Sequence, residues 1–342
     1  MVGRGINKNF RTTYSDRLST TGSRLEQQVE RIIEKKMREL RFAISTPLLV
    51  VAAVDSRNKE GADFHCDGVN DEVQIQKAID QVSKGGGGEI ILLEGNYSIS
   101  KSIKIETHNI TLSGEGNLTI LKLADEANTS IIQVGILPST NAANNFIIRD
   151  MVLDGNKTNQ TGTTDMLILN EDDVLIERCT IKNSINNGIA GAIDADFVII
   201  QNSTIKDNTK SGIVIKGQLW KINNSWIKDN GDHGISVIGT NGTVQTGLIT
   251  GNNIISNGDE GIRMEATSGG CDWFTITNNF ILGNDVGILL VDGGCNWTTI
   301  MQNVVLVNTT AQITDNGTNT LPNGARGTNS LALDDHNQIT LM

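Results

Sequence analysis

The chain has 342 residues, 38% hydrophobic but only 4% aromatic, with 36 glycines, 37 asparagines and three prolines. Its core must therefore be filled by Ile, Val and Leu in thin, repetitive packing rather than around one bulky centre. The net charge of −11 divides into +5 over residues 1–41 and −16 over the rest; a body that acidic repels a phosphate backbone, so no nucleic-acid partner is expected. Cys66, Cys179, Cys271 and Cys295 form no CxxC pair, which argues against a disulfide-stapled mini-domain and against structural zinc.

Residues 1–22 read as a basic leader that lacks the apolar core of a secretory signal. Residues 23–42 place Leu25, Val29, Ile32, Ile33, Met37 and Leu40 at helical spacing, with Ser23 as N-cap and Glu26 completing a capping box. Twenty residues are fewer than three heptads, so this helix needs a partner, either its own domain or other copies of the chain. The apolar run Phe42–Ala52 is too short to span a bilayer and contains Pro47, so no membrane insertion is expected. Asn70-Asp71-Glu72 opens an amphipathic run through Val73, Ile75, Ala78, Ile79 and Val82 to the glycines 85–88, predicting a helix near 70–84 with an Asn cap and an acidic first turn. Short strands follow at Glu89–Leu93, Tyr97–Ile99, Ile103–Ile105, Ile110–Leu112 and Leu118–Leu123.

From residue 148 the chain repeats. Apolar pairs five residues apart recur as Ile148/Leu153, Ile176/Ile181, Ile200/Ile205, Ile222/Ile227, Ile249/Ile254, Ile276/Ile281 and Ile300/Val305, giving repeat lengths of 28, 24, 22, 27, 27 and 24. Gly-Ile steps recur at Gly188, Gly212, Gly234, Gly261 and Gly287. The runs alternate like strands and contain no helical period, which leaves a parallel β-helix with one rung per repeat; a solenoid exposes its interior at the first rung, and the 70–84 helix is well placed to plug it. Three residues after each leading Ile stand Cys179, Ser203, Ser225, Asn252, Asn279 and Asn303, an inward polar ladder. Glycine is expected to supply the positive φ at each turn. The polar residues 321–342 read as a closing loop or cap, leaving 43–320 for the β-helix.

The stretch ADFHCDGVNDEVQIQKAIDQVSKGGGGEIILLEGNYSISKSIKI (Ala62–Ile105), followed by NITLSGEG (Asn109–Gly116), resembles the opening of the pectate-lyase-like right-handed β-helix superfamily, as found in bacteriophage tail-spike and neck-appendage proteins. The resemblance implies an all-β, right-handed, single-stranded parallel β-helix with an N-terminal helical arm. It also implies a homotrimer built around that arm, the leader attached to a phage particle, and a location on the virion or outside the cell after synthesis in host cytoplasm. The superfamily includes lyases, hydrolases, epimerases and proteins without catalysis, so activity does not follow from the fold.

Before the Gly-Ile steps lie Lys210-Ser211, Asp232-His233, Asp259-Glu260 and Asp285. Rungs about 4.8 Å apart would make neighbours of Asp232, Asp259 and Asp285. That spacing suits the paired carboxylates of glycoside hydrolysis, close like charges raising one pKa, with His233, Glu260 and Arg263 as helpers. The same acids also suit tight turns, and an acidic row offers Ca²⁺ its oxygens although no cofactor is required. Asp232-His233-Gly234-Ile235-Ser236 and Gly261-Ile262-Arg263-Met264-Glu265 resemble two polygalacturonase steps. Lys210-Ser211 and Asn187 stand where that family carries acids, and Glu265 where it carries lysine, so its inverting hydrolysis is not carried over. Lyase or epimerase chemistry ranks lower, because Tyr14 and Tyr97 lie outside the main rungs. GGCDWFTI and GGCNWTTI stack Cys271 on Cys295, expected as free thiols, and Trp273 on Trp297, both indoles outward, as a platform for sugar rings or for packing against a neighbouring subunit or a turn. The expected partner is host cell-surface polysaccharide, touched by a phage tail or appendage protein; the alternatives are a polysaccharide depolymerase and an architectural spacer.

Overall fold

The computed structural model describes residues 47–135, 143–239 and 244–322. The leader 1–22, the helix 23–42 and residues 323–342 of the closing segment lie outside the described residues. All strand pairs are parallel, and three sheets of twelve, nine and nine strands run the length of the molecule. Nine successive rungs each give one strand to every sheet, while Leu48–Ala52 and Phe64–His65 extend the first sheet at one end and Leu321–Pro322 at the other.

The register follows the repeat. Ile148, Ile176, Ile200, Ile222, Ile249, Ile276 and Ile300 are successive partners in the first sheet, and Leu153 through Val305 in the second. The isoleucines of the Gly-Ile steps stack in the third. Stacking like on like keeps the apolar face inward at every turn, since a one-residue slip would turn it to solvent.

The predicted polar ladder is present: the Cys179 amide donates to Ser203 Oγ, Ser203 to Ser225 Oγ, Ser225 to Asn252 Oδ1, Asn252 to Asn279 Oδ1 and Asn279 to Asn303 Oδ1, at 2.9–3.1 Å. A second ladder, eight residues after each leading Ile, links Ser184, Asn208, Asn230, Asn257, Asn284 and Asn308 in the same manner. The amides satisfy backbone groups that a turn inside the core would otherwise strand.

Glycine makes only a few of these turns, among them Gly251 (φ 67°) and Gly283 (φ 69°). The left-handed corners fall on Asn202, Asp207, Asn224, Asp229 and Asn278, and also on Phe197, Leu219, Trp273 and Trp297, all with φ between 51° and 57°. The Gly-Ile glycines serve close packing instead: a Cβ on Gly212 would sit 2.8 Å from both Asn230 Nδ2 and the Gly234 carbonyl.

Helix α1, Glu72–Ser83, covers the first rung with Ile75, Ala78, Ile79 and Val82 buried, while Val73 faces solvent. No side chain caps it by hydrogen bond; Asn70 instead adopts φ 52° and its carbonyl accepts the Val73 amide, while Asp71 tethers Gly68 and Ser98 through their amides. Among the described residues no helix is long and apolar enough to cross a membrane.

Candidate functional site

The corner that leads into the third sheet stacks as its spacing predicts. Amides of Lys210, Asp232, Asp259 and Asp285 donate to the carbonyls of Asn186, Lys210, Asp232 and Asp259 respectively, at 2.7–3.4 Å. The carboxylates nevertheless have separate partners. Asp232 pairs with Lys210 at 3.2 Å, Asp285 accepts the Thr310 hydroxyl, and Asp259 points outward with its side chain 56% exposed.

His233, just before strand Ile235–Gly239, meets Glu260 at the head of strand Glu260–Ala266. Its Nδ1 lies 2.6 Å from Glu260 Oε2 and 4.0 Å from Asp259 Oδ2. Arg263 reaches Glu265 at 2.9 Å and Glu260 at 3.9 Å. His233, through this contact, holds the Glu260 carboxyl below its usual range against the opposing effect of burial, and Arg263 adds to it. This is the reverse of the raised acid that glycoside hydrolysis requires. Neither His233 Nδ1 nor Glu260 Oε2 is satisfied by a hydrogen bond, so the two meet as a close contact rather than a well-aligned bond.

Ligand atoms of His233, Asp259 and Glu260 lie within 4.8 Å of one another. One imidazole and two carboxylates suit a first-row transition metal better than Ca²⁺, which takes six to eight oxygens.

A second acidic corner, between the third sheet and the first, escaped the sequence reading. Asp172 Oδ1 accepts the Asp196 amide at 2.9 Å, and Asp196 Oδ1 accepts that of Gln218 at 2.6 Å. Burial pushes Asp172 up to about 6, helped by Asp196, Asp173 and Glu171. Asp196 and Glu171 are raised as well, by burial and then by Asp194, with His108 opposing at Glu171. The available signal was Glu171-Asp172-Asp173 followed one repeat later by Asp194-Ala195-Asp196.

Trp273 and Trp297 face solvent, 42% and 46% exposed, as parallel rings 5.3 Å apart with 6° between their planes. Each hides one face against the other, so the surface they offer is two outer faces and a pair of edges. Phe197 and Leu219 occupy the same corner on earlier rungs. Beneath, Cys271 and Cys295 are buried free thiols, and Cys295 together with burial pushes the Cys271 thiol up. Trp220 belongs to the core, its indole N–H donating to the Ala195 carbonyl at 2.7 Å.

The family model described as the right handed beta helix region matches residues 123–272. The fold is a right-handed parallel β-helix. This β-helix is similar over part of its length to mannuronan C5-epimerases AlgE2 and AlgE4 of Azotobacter vinelandii. AlgE2 is 32% identical over 173 residues, 45% of this chain and 17% of the relative. AlgE4 is 29% identical over 164 residues, 43% of this chain and 30% of the relative. The chain thus spans less than a third of these relatives. Among solved structures, the A-module of Azotobacter vinelandii mannuronan C-5 epimerase AlgE6 superposes with a TM-score of 0.57 at 21% identity, covering 72% of this chain and 76% of the module. The tailspike protein of E. coli bacteriophage HK620, solved with a pentasaccharide, superposes with a TM-score of 0.53 at 13% identity, covering 72% and 56%.

Proposed function

We propose that this β-helix contacts host cell-surface polysaccharide as a tail or appendage protein of a phage particle. The observation that carries the reading is the solvent-facing Trp273–Trp297 stack, held by left-handed corners on the rim of a rigid solenoid. Flat indoles held at fixed spacing are recognition surfaces for the apolar faces of sugars and need little ordering on binding. The assembly in this reading is a homotrimer carried through the basic residues 1–22, which light scattering of the full chain tests. No cofactor is required; calcium enters as a bridge between the acidic body and an acidic glycan, which a chelator would remove. A glycan array probed with the full chain, and with Trp273→Ala and Trp297→Ala, tests the platform: binding unchanged in both variants overturns it.

A second reading, polysaccharide modification, is favoured by the similarity to enzymes named as mannuronan epimerases. Here His233 Nε2, oriented by Glu260, abstracts or returns the proton beside a uronate carboxylate, and Arg263 lies near the developing charge. Mannuronan and host polysaccharides incubated with the chain report the chemistry: altered C5 configuration by NMR, unsaturated ends by ultraviolet absorbance, or new reducing ends. Product that persists in His233→Ala removes this assignment, and no product from any polymer removes the enzyme.

A further inference from the structure

Three side chains with metal-ligating atoms meet where the corner before the third sheet passes from one rung to the next. His233 Nδ1 lies 2.6 Å from Glu260 Oε2 and 4.0 Å from Asp259 Oδ2, and ligand atoms of all three fall within 4.8 Å of one another. Nδ1 and Oε2 are both buried, yet neither has a hydrogen-bond partner. Buried polar atoms are almost always satisfied, and two that face each other without a bond mark a place where a further group belongs. Among the described residues no other His, Cys, Asp and Glu side chains converge in this way.

The surrounding charges say that the missing group is a cation. Lys210 is taken by Asp232 at 3.2 Å. Arg263 gives its close contact to Glu265 at 2.9 Å and reaches Glu260 only at 3.9 Å, on Oε1 rather than on the orphaned Oε2. The carboxylates of Asp259 and Glu260 are thus left to offset a divalent charge. The backbone keeps the three ligands in register, because residues on either side of His233 are pinned to the next rung. The Gly234 amide donates to the Glu260 carbonyl at 2.9 Å, and the Asp259 amide to the Asp232 carbonyl at 3.0 Å.

We infer that His233 Nδ1, Glu260 Oε2 and Asp259 Oδ2 bind one divalent transition-metal ion, with Zn²⁺ the ion that suits them. A single imidazole nitrogen with two carboxylate oxygens is a zinc donor set, and three protein ligands leave a fourth position for water. At zinc–ligand distances of about 2.1 Å a tetrahedral site holds its ligand atoms about 3.4 Å apart. The contacts of 2.6 and 4.0 Å straddle that value, and the exposed Asp259 side chain has room to turn. Ca²⁺ demands six to eight oxygens, which these residues do not supply. A metal on Nδ1 leaves the proton of the neutral imidazole on Nε2, so a loaded site does not offer His233 as a base. The inference stands independently of the glycan reading, and because the ligands come from two rungs the ion would also tie those rungs together.

The test titrates the chelator-treated full chain with ZnCl₂ in a calorimeter. One equivalent is expected to bind, to resist excess CaCl₂, and to raise the melting temperature by several degrees. His233→Ala and Glu260→Gln should each weaken binding about tenfold or more, as loss of a ligand requires. Asp229→Asn, whose carboxylate pairs with Lys228 on the second sheet, should leave it unchanged. No stoichiometric binding, displacement by Ca²⁺, or affinity unaltered in both ligand variants overturns the proposal. Should those variants fail to fold, zinc X-ray absorption on the unaltered chain decides: one imidazole among oxygen ligands is expected, and a shell of oxygens alone overturns it.

Discussion

Asn257 sits in the middle of the second amide ladder, 3% exposed, and replacing it with alanine tests what the ladder contributes. Its Oδ1 accepts the Asn230 amide at 3.3 Å and Asn230 Nδ2 at 2.9 Å. Its Nδ2 donates to the Ile227 carbonyl at 3.2 Å and to Asn284 Oδ1 at 3.0 Å. Asn257→Ala removes all four bonds and leaves their partners facing a cavity that the stacked rungs are too rigid to close. At about 1 kcal/mol net per bond, and more for each group left unpaired, the loss is about 3–5 kcal/mol, a large part of a typical domain's stability. Asn303, at the end of the other ladder and partly exposed, makes comparable bonds to Asn279 and Ile276, but water can replace it, so Asn303→Ala is expected to lose only about 1–2 kcal/mol. Guanidinium titrations followed by circular dichroism give both values, and hydrogen exchange should place the Asn257 effect on the surrounding rungs. An Asn257→Ala loss below about 1 kcal/mol, or one equal to that of Asn303→Ala, would refute the ladder as a source of cohesion.

The two acidic corners respond to pH in opposite directions. Asp172, raised to about 6, costs the folded state stability above that pH, and the cost fades as pH falls through 6 toward its unfolded value; Asp172→Asn should raise the melting temperature at pH 8 and leave it unchanged at pH 4. Glu260, held low, contributes stability above its unfolded value that is lost as pH falls through its folded one, so Glu260→Gln should lower the melting temperature at pH 7 but not in strong acid. A Cβ at Gly191 would lie 2.3 Å from the buried Trp220 ring, so Gly191→Ala should destabilise by about 1–3 kcal/mol in a denaturant titration, whereas exposed Gly61, with open space around it, should tolerate alanine. In the enzyme reading, His233→Ala should abolish turnover while leaving the melting temperature within a few degrees, as measured by calorimetry.

The leading isoleucines and the Gly-Ile steps gave the rung register in all three sheets because a solenoid repeats its core position with little tolerance. The Asn208–Asn284 ladder had an equally regular spacing but was passed over, since asparagine near a turn has an ordinary local explanation. Positive φ at Phe197, Leu219 and Trp273 could not be read from residue type: the corner is dictated by the rungs on either side and overrides local preference. The site was legible as a column but not as a set of contacts. Asp232, Asp259 and Asp285 do stack, yet Lys210, outward solvent and Thr310 respectively divide them, and the pairing of His233 with Glu260 depends on side-chain directions that spacing does not fix.

Alignment of distant residues by stacked rungs is measured most directly by spin-label distances on the outer face of the second sheet. There Thr180, Thr204, Trp226, Asn253, Phe280 and Val304 are successive partners. From Thr180, backbone separations of about 14 Å to Asn253, 19 Å to Phe280 and 24 Å to Val304 are predicted, rising by one strand spacing per rung. Distances that do not grow in that even progression would contradict the solenoid and every site placed on it.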